Sequence, residues 1–205
     1  MVMNSRMQEI IILKGELVDL IPLEEKHFPE LINLAADKRI WEFYSFDGSV
    51  TGKMHEVLKS ALLEKENGMQ YPFAIFHKAE NKLIGSTRLM DIRAEHKKLE
   101  IGGTWLHSRY WATAINPECK LLLLSFCFEE LNAVRVQLKT DEKNIRSQKA
   151  ILKTGAIYEG ILRHDMIRDN GTKRNSAYYS IIDEEWTDAK QKLRQLYLKK
   201  VEDSN

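Results

Sequence analysis

The stretch ELVDLIPLE, residues 16–24, alternates apolar and polar positions and meets a proline at Pro22, so it predicts a first strand. The spacing then turns helical. In EEKHFPELINLAAD, residues 24–37, Phe28, Leu31, Ile32 and Ala35 share one face, and Pro29 is tolerable only in an early turn. RIWEFYSFDG, residues 39–48, is an aromatic-rich connection, and VTGKMHEVLKSALLEKENG, residues 50–68, predicts a second helix closed by Gly68. YPFAIFHK (71–78), KLIGSTRLMDI (82–92) and KLEIGGTWLH (98–107) are strand-like and joined by the short polar turns AEN and RAEHK, which predicts an antiparallel meander.

LLLLSFCF, residues 121–128, is apolar on nearly every side, as befits a helix packed deeply on a sheet, and leads into a strand, AVRVQLKT (133–140). NIRSQKAILKTG (144–155) has helical spacing and a terminal glycine in the C′ position. AIYEGILRHDMIR and KRNSAYYSIIDEEW flank Asp169-Asn170-Gly171, a hairpin signal, and EEWTDAKQKLRQLYLKKVEDSN ends the chain as an amphipathic helix that frays. The order is strand, two helices, three strands, then helix, strand, helix and two strands. It predicts an α+β fold with helices on a mostly antiparallel sheet and one βαβ-like crossover. With no repeat and no low-complexity linker, residues 1–205 are expected to form a single domain.

Charge narrows the partners. Lys and Arg number 31 against 30 Asp and Glu, so no overall field favours nucleic acid or an anionic membrane. Cys119 and Cys127 are eight residues apart, roughly 12 Å along a helix and beyond disulfide reach. Both are expected to be inert core residues of a reduced, cytoplasmic protein. The run Ile10 to Leu13 is too short for a signal sequence, and no apolar segment approaches the roughly 20 residues of a membrane helix. No His, Cys and Asp cluster has metal-ligand spacing, so no metal is expected.

The candidate chemistry centres on SRYWATAINPECK, residues 108–120. Asn116 suits an N-cap and Pro117 the first helical position, which would aim free amides at the loop 109–115. Successive amides at a strand-to-helix junction can hold an anion, and Arg109 could add a charge-assisted bond to a phosphate; otherwise the segment is an ordinary turn whose amides meet water. Alanine resists positive φ, so such a loop requires Ala112 and Ala114 to stay near the helical region. Asn144 and Ser147, three apart on a helix, point the same way, with capping by Asn144 an alternative or additional role.

This stretch resembles the pyrophosphate loop of the GNAT superfamily of acyl-CoA-dependent N-acetyltransferases, Gln/Arg-x-x-Gly-x-Gly/Ala, with Arg109 opening the motif and Ala112 and Ala114 at the small positions. NIRSQKAILKTGAIYEGILR and RDNGTKRNSAYYSIIDEEW resemble the RimJ/RimL-like branch, except that Asn175 stands where an aspartate is expected. The resemblance implies the GNAT fold, acetyl-CoA as co-substrate and direct transfer to a primary amine. A protein N-terminal α-amine is the expected acceptor, with a small amine (antibiotic, polyamine or amino acid) or a non-catalytic acyl-CoA sensor as alternatives.

It also implies roles. Glu100 would take a proton from the acceptor, directly or through water; without the resemblance it reads as a solvated residue beside Lys97 and Lys98, and His107 is a second candidate base. Ser147 would lie near the sulfur as proton donor and Asn144 would contact the pantetheine arm. The cofactor would meet Trp105, Leu106, His107, Arg109, Tyr110, Trp111, Ala112, Thr113 and Ala114, with a backbone amide among residues 105–107 polarising the thioester carbonyl. Trp41 and Tyr44 would wall the acceptor side, and either Tyr178 or Tyr179 would face the cleft. A homodimer is compatible with the resemblance.

Overall fold

A computed structural model of the chain describes residues 2–203. A short helix α1 (Val2–Arg6) precedes strands β1 (Leu13–Lys14) and β2 (Val18–Pro22), then come helices α2 (Phe28–Ala35) and α3 (Lys53–Glu66). The meander follows as β3 (Tyr71–His77), β4 (Lys82–Arg93) and β5 (Lys98–Leu106). Helix α4 (Ile115–Ser125) leads to β6 (Arg135–Asp141), α5 (Ile145–Leu152), the hairpin β7 (Ile157–Ile167) and β8 (Lys173–Ile182), and α6 (Trp186–Glu202). The eight described strands form one sheet, ordered β1-β2-β3-β4-β5-β6-β8-β7. The predicted α+β architecture is the observed one.

Several boundaries differ from the predicted ones. The first long strand begins at Val18 rather than residue 16, because the buried Glu118 carboxylate accepts hydrogen bonds from the amides of Glu16, Leu17 and Val18 and bends the chain there. Helix α1 and strand β1 lacked a periodicity long enough to predict. The buried run after α4 is a π-helical turn, Phe126–Glu130, whose wider winding lets three consecutive residues, Phe126, Cys127 and Phe128, all face inward. Pro29 falls in the first turn of α2, where its missing N–H costs nothing. Gly171 closes the predicted hairpin at φ +78. The expected fraying of the C-terminal helix concerns Ser204 and Asn205, which lie outside the described residues.

Hydrophobic clusters cover both faces of the sheet. Helices α2 and α3 bury Leu31, Met54 and Leu58 against Ala74, Leu83 and Trp105, while α4 and α6 bury Leu123, Leu124 and Leu193 with Phe73, Val136 and Tyr179. Two features position the site. Strands β5 and β6 pair in parallel only from Lys98↔Arg135 to Glu100↔Gln137, after which they part, leaving a wedge with Glu100 at its vertex. The outer strand β7, by contrast, is an exposed edge whose register breaks between Tyr158 and Gly160 and again between Leu162 and Met166, with His164 at φ +51.

Candidate active site

The wedge opens into a cleft of about 380 Å³. Its floor is β5, its far wall β6 and α5, and its rim the aromatic connection before α3. Glu100, Trp105, Leu106, Tyr110, Trp111, Ala112, Asn144, Ser147 and Tyr44 all line it, so the structure gathers most of the predicted residues in one place.

Glu100 is 4% exposed, which removes its reading as a solvated strand residue. Its Oε2 accepts a hydrogen bond from Gln137 Nε2 at 2.8 Å and stands 3.5 Å from Lys139 Nζ. Oε1 points along the strand over Gly102, where a side chain would collide with it at 2.7 Å. One oxygen is therefore held by the protein and the other faces the cleft. Across the wedge, Asn144 caps α5 by accepting from the Ser147 backbone amide at 3.0 Å, which fixes the Asn144 side chain, and both residues line the cleft.

The loop 108–114 differs from expectation in two respects. Helix α4 starts at Ile115, not at Asn116–Pro117; its N-cap position is Ala114, which offers no side-chain cap, and the Thr113 hydroxyl one residue earlier accepts from the Ile115 amide at 3.3 Å. Pro117 then occupies an early helical position whose N–H would have had no partner. Ala112 adopts φ +63 instead of a helical angle, while Ala114 stays helical at φ −71. The turn at Ala112 aims the loop amides outward: among the described residues, nothing accepts from the amides of Ala112, Thr113 or Ala114. Lys200 Nζ holds the turn from behind by donating to the Ala112 carbonyl at 2.9 Å. Arg146 lies 3.6 Å over the Trp111 ring at the same end of the cleft.

Six predicted positions are not brought to the cleft wall, among them Ala114, which is buried at 3% exposed. Arg109 is largely exposed and turns to Glu80, 3.6 Å away. His107 accepts from the Arg109 amide and faces Asp37, and its own amide donates to the Ile84 carbonyl, so neither ring nor amide is free for the cleft. Thr113 spends its hydroxyl on the Tyr110 carbonyl and the Ile115 amide. Trp41 is 4% exposed, packs in the core with Trp105 and donates to the Ala35 carbonyl. Of the tyrosine pair, Tyr179 is buried in the core and Tyr178 donates to Asp165 at 2.9 Å beside the cleft, not in its wall. The rim aromatics are Phe43, Tyr44 and Phe46; the Tyr44 hydroxyl donates to the Thr104 carbonyl and burial pushes its pKa up.

Asn175 replaces the expected aspartate with good reason. Its carbonyl accepts from the His164 amide and its amide donates to Glu142, each at 2.8 Å, and a carboxylate could make only the first bond.

Sequence reasoning missed Lys120. It is 7% exposed, donates to the Thr104 hydroxyl at 3.0 Å, and burial pushes its pKa down to about 8. The available signal was one lysine inside an apolar helix, four residues after Asn116 and so on the same face, and both residues line the cleft. Cys119 is fully buried and its thiol is pushed up to about 12, as suits an inert residue. Among the described residues no group of three or more His, Cys, Asp or Glu could hold a metal, and no helix is long and apolar enough to cross a membrane.

Residues 18–157 match the family model of the acetyltransferase (GNAT) domain. The chain is 25% identical over 177 residues, 83% of its length and 96% of the relative's, to the "Probable N-acetyltransferase YjcK" of Bacillus subtilis strain 168. It superposes with a TM-score of 0.82 on a GCN5-related N-acetyltransferase from Brucella melitensis, at 26% identity over 91% of this chain and 85% of that one. RimJ of Mycobacterium smegmatis, solved with a CoA disulfide, shares the fold at a TM-score of 0.74 and 19% identity, covering 91% of each chain.

Proposed function

Starting from the fact that the chain belongs to the GNAT acetyltransferase family, we propose that it transfers an acetyl group from acetyl-CoA directly to a primary amine, the α-amine of a protein N-terminus. The supporting observation is a buried carboxylate with one free oxygen, Glu100, at the vertex of a wedge lined by Ser147, Asn144 and Ala112, with the loop amides of residues 112–114 unpaired among the described residues.

Bound acetyl-CoA supplies an activated acyl group on sulfur. The unpaired amides of Ala112, Thr113 and Ala114 at the start of α4 suit its pyrophosphate, with Arg146 beside them. That replaces Arg109 as the cation nearest this role. Asn144 and Ser147 suit the thiol-bearing arm. Glu100 Oε1 takes a proton from the acceptor ammonium, directly or through one water. The freed amine attacks the acyl carbon and the C–S bond breaks. The second proton shed by the nitrogen reaches the departing thiolate by way of the Ser147 hydroxyl, which gives one proton and regains one. Glu100 on β5 and Ser147 on α5 line the same cleft.

The cleft wall carries Arg88, Lys120, Lys139, Arg146 and Arg174 against a single carboxylate, Glu100. This balance disfavours a polycation as acceptor and favours an amine without further positive charge.

The test pairs calorimetric binding of acetyl-CoA with thiol release on a panel of peptides and small amines, for the wild type and Glu100→Gln. The expected result is equal acetyl-CoA affinity and at least a hundredfold lower turnover in the variant, the scale of a general base. Absence of acetyl-CoA binding, or undiminished turnover in Glu100→Gln, would overturn the proposal.

A further inference from the structure

Arg88 stands apart from the other arginines of the cleft region. Arg168 pairs with Asp141, Arg174 lies 3.7 Å from the same carboxylate, and Arg146 stacks on Trp111. Arg88 meets only neutral oxygens, and both contacts are long: Nη1 to Gln70 Oε1 at 3.4 Å and Nη2 to the Val57 carbonyl at 3.5 Å. Its Nε is buried without a hydrogen-bond partner. Glu64 acts on the guanidinium through space but makes no hydrogen bond or ion pair with it, its Oε2 accepting from the Gln70 amide instead. A guanidinium normally forms charge-assisted bonds of about 2.7–2.9 Å, so the chain places a cation in a shielded position and leaves its fork unused.

The backbone makes room for this arrangement. Arg88 pairs in register with Gly102 and Met90 with Glu100, so Arg88 and Glu100 are diagonal neighbours on one face of the β4–β5 ladder, roughly 7–8 Å apart at the backbone. Gly103, at φ +55, lets the Arg88 side chain lie across β5: a β-carbon there would stand 3.1 Å from Arg88 Cδ and 3.3 Å from Nε. Gly102 does the same for Glu100. The Gly-Gly pair thus makes room on one face of the ladder for both a base and a guanidinium, and both residues line the cleft.

We propose that Arg88 receives a carboxylate of the acceptor, so that the substrate is an amine with a carboxylate only a few bonds away. The assignment rests on the acetyltransferase reading above. Two sources supply that chemistry: the α-carboxylate of a free amino acid, and an acidic side chain next to the amino terminus of a peptide. In either case the planar fork would bind the carboxylate while Glu100 Oε1 meets the ammonium, and Gln70 and Val57 would yield two weak contacts for strong ones.

Two matched pairs of acceptors decide the matter. One is alanine against alaninamide, and the other is a short peptide beginning Ser-Glu against its Ser-Gln counterpart. Both kcat/KM and equilibrium binding to the CoA-loaded protein are measured, for the wild type, Arg88→Gln and Arg88→Met. The acid member of one pair should be favoured about ten- to a hundredfold in the wild type, and that pair identifies the source of the carboxylate. The ratio should fall to within about threefold in both variants. Equal use and equal binding of acid and amide by the wild type, or a preference that survives in both variants, would overturn the proposal. The wild-type ratios decide even if a variant fails to fold. Transfer without acid preference removes only the Arg88 subsite, whereas failure of acetyl-CoA to bind removes the acetyltransferase reading itself.

Discussion

A β-carbon at Gly102 would stand 2.7 Å from Glu100 Oε1 and 2.8 Å from Met90 Sδ. The glycine is thus the surface against which the free carboxylate oxygen rests. Gly102→Ala should swing Oε1 off its line into the cleft while the strand pairing persists. A displacement near 1 Å costs on the order of a hundredfold in rate, so kcat should fall by ten- to a hundredfold with acetyl-CoA affinity little changed. Wild-type kcat in a folded Gly102→Ala protein would show that Oε1 is not the reacting oxygen.

Ala112 holds a left-handed angle, φ +63, that costs an L-residue about 1–2 kcal/mol. Ala112→Gly removes that cost and adds back some unfolded-chain entropy, for a net gain of about 0.5–1 kcal/mol in urea denaturation. A loss of stability of that size would mean the alanine methyl makes contacts that outweigh the strain.

Lys120 gives stability a pH signature. Its ammonium is held at about 8 in the fold against an ordinary 10.5. Between these values the unfolded chain binds more protons, so folding stability contributed by this residue rises with pH from about 8 to 10 and is lowest at neutral pH and below. Lys120→Met should therefore stabilise the protein by about 1–3 kcal/mol at pH 7, and the advantage should shrink as pH approaches 10. Denaturation midpoints recorded across that range check it; a difference independent of pH would refute the assignment.

At Asn175 the donor is the essential half. Asn175→Asp would face a carboxylate with Glu142 in place of the 2.8 Å bond. The expected cost is about 1–3 kcal/mol at pH 7. It should diminish below about pH 5, where one of the two acids takes a proton and restores a donor. Thermal unfolding at pH 7 and pH 4.5 measures both quantities.

The order of elements was legible because periods of 2 and 3.6 report burial directly, and every strand of the meander falls within a residue or two of its predicted range. Three of the candidate positions named from the sequence, Glu100, Asn144 and Ser147, do line one cleft. The site was not legible where the fold decides the direction of a side chain. Trp41 and Phe43 are two residues apart in the same aromatic run, yet one belongs to the core and the other to the cleft rim. Arg109 opens the loop motif, but Glu80 across the sheet draws it away. Nothing in the strand pattern singles out Arg88; it is the cross-strand register that sets it opposite Gly102. Ala112 shows the limit of propensity, since the surrounding loop and Lys200 impose an angle that the residue itself disfavours.

The interruptions in β7 bear on how the protein behaves in concentrated solution. Ile157, Tyr158, Ile161, Leu162 and Ile167 are all exposed on this outermost strand, a composition that invites another chain to extend the sheet. The shifts at Gly160 and at Leu162–Met166, with His164 turned back on itself, cut the edge into runs of a few residues, each too short and too twisted to template a growing stack. Resistance of this edge to pairing with another chain therefore lies in its irregular backbone more than in its side chains, and straightening it would turn a self-limiting surface into an adhesive one.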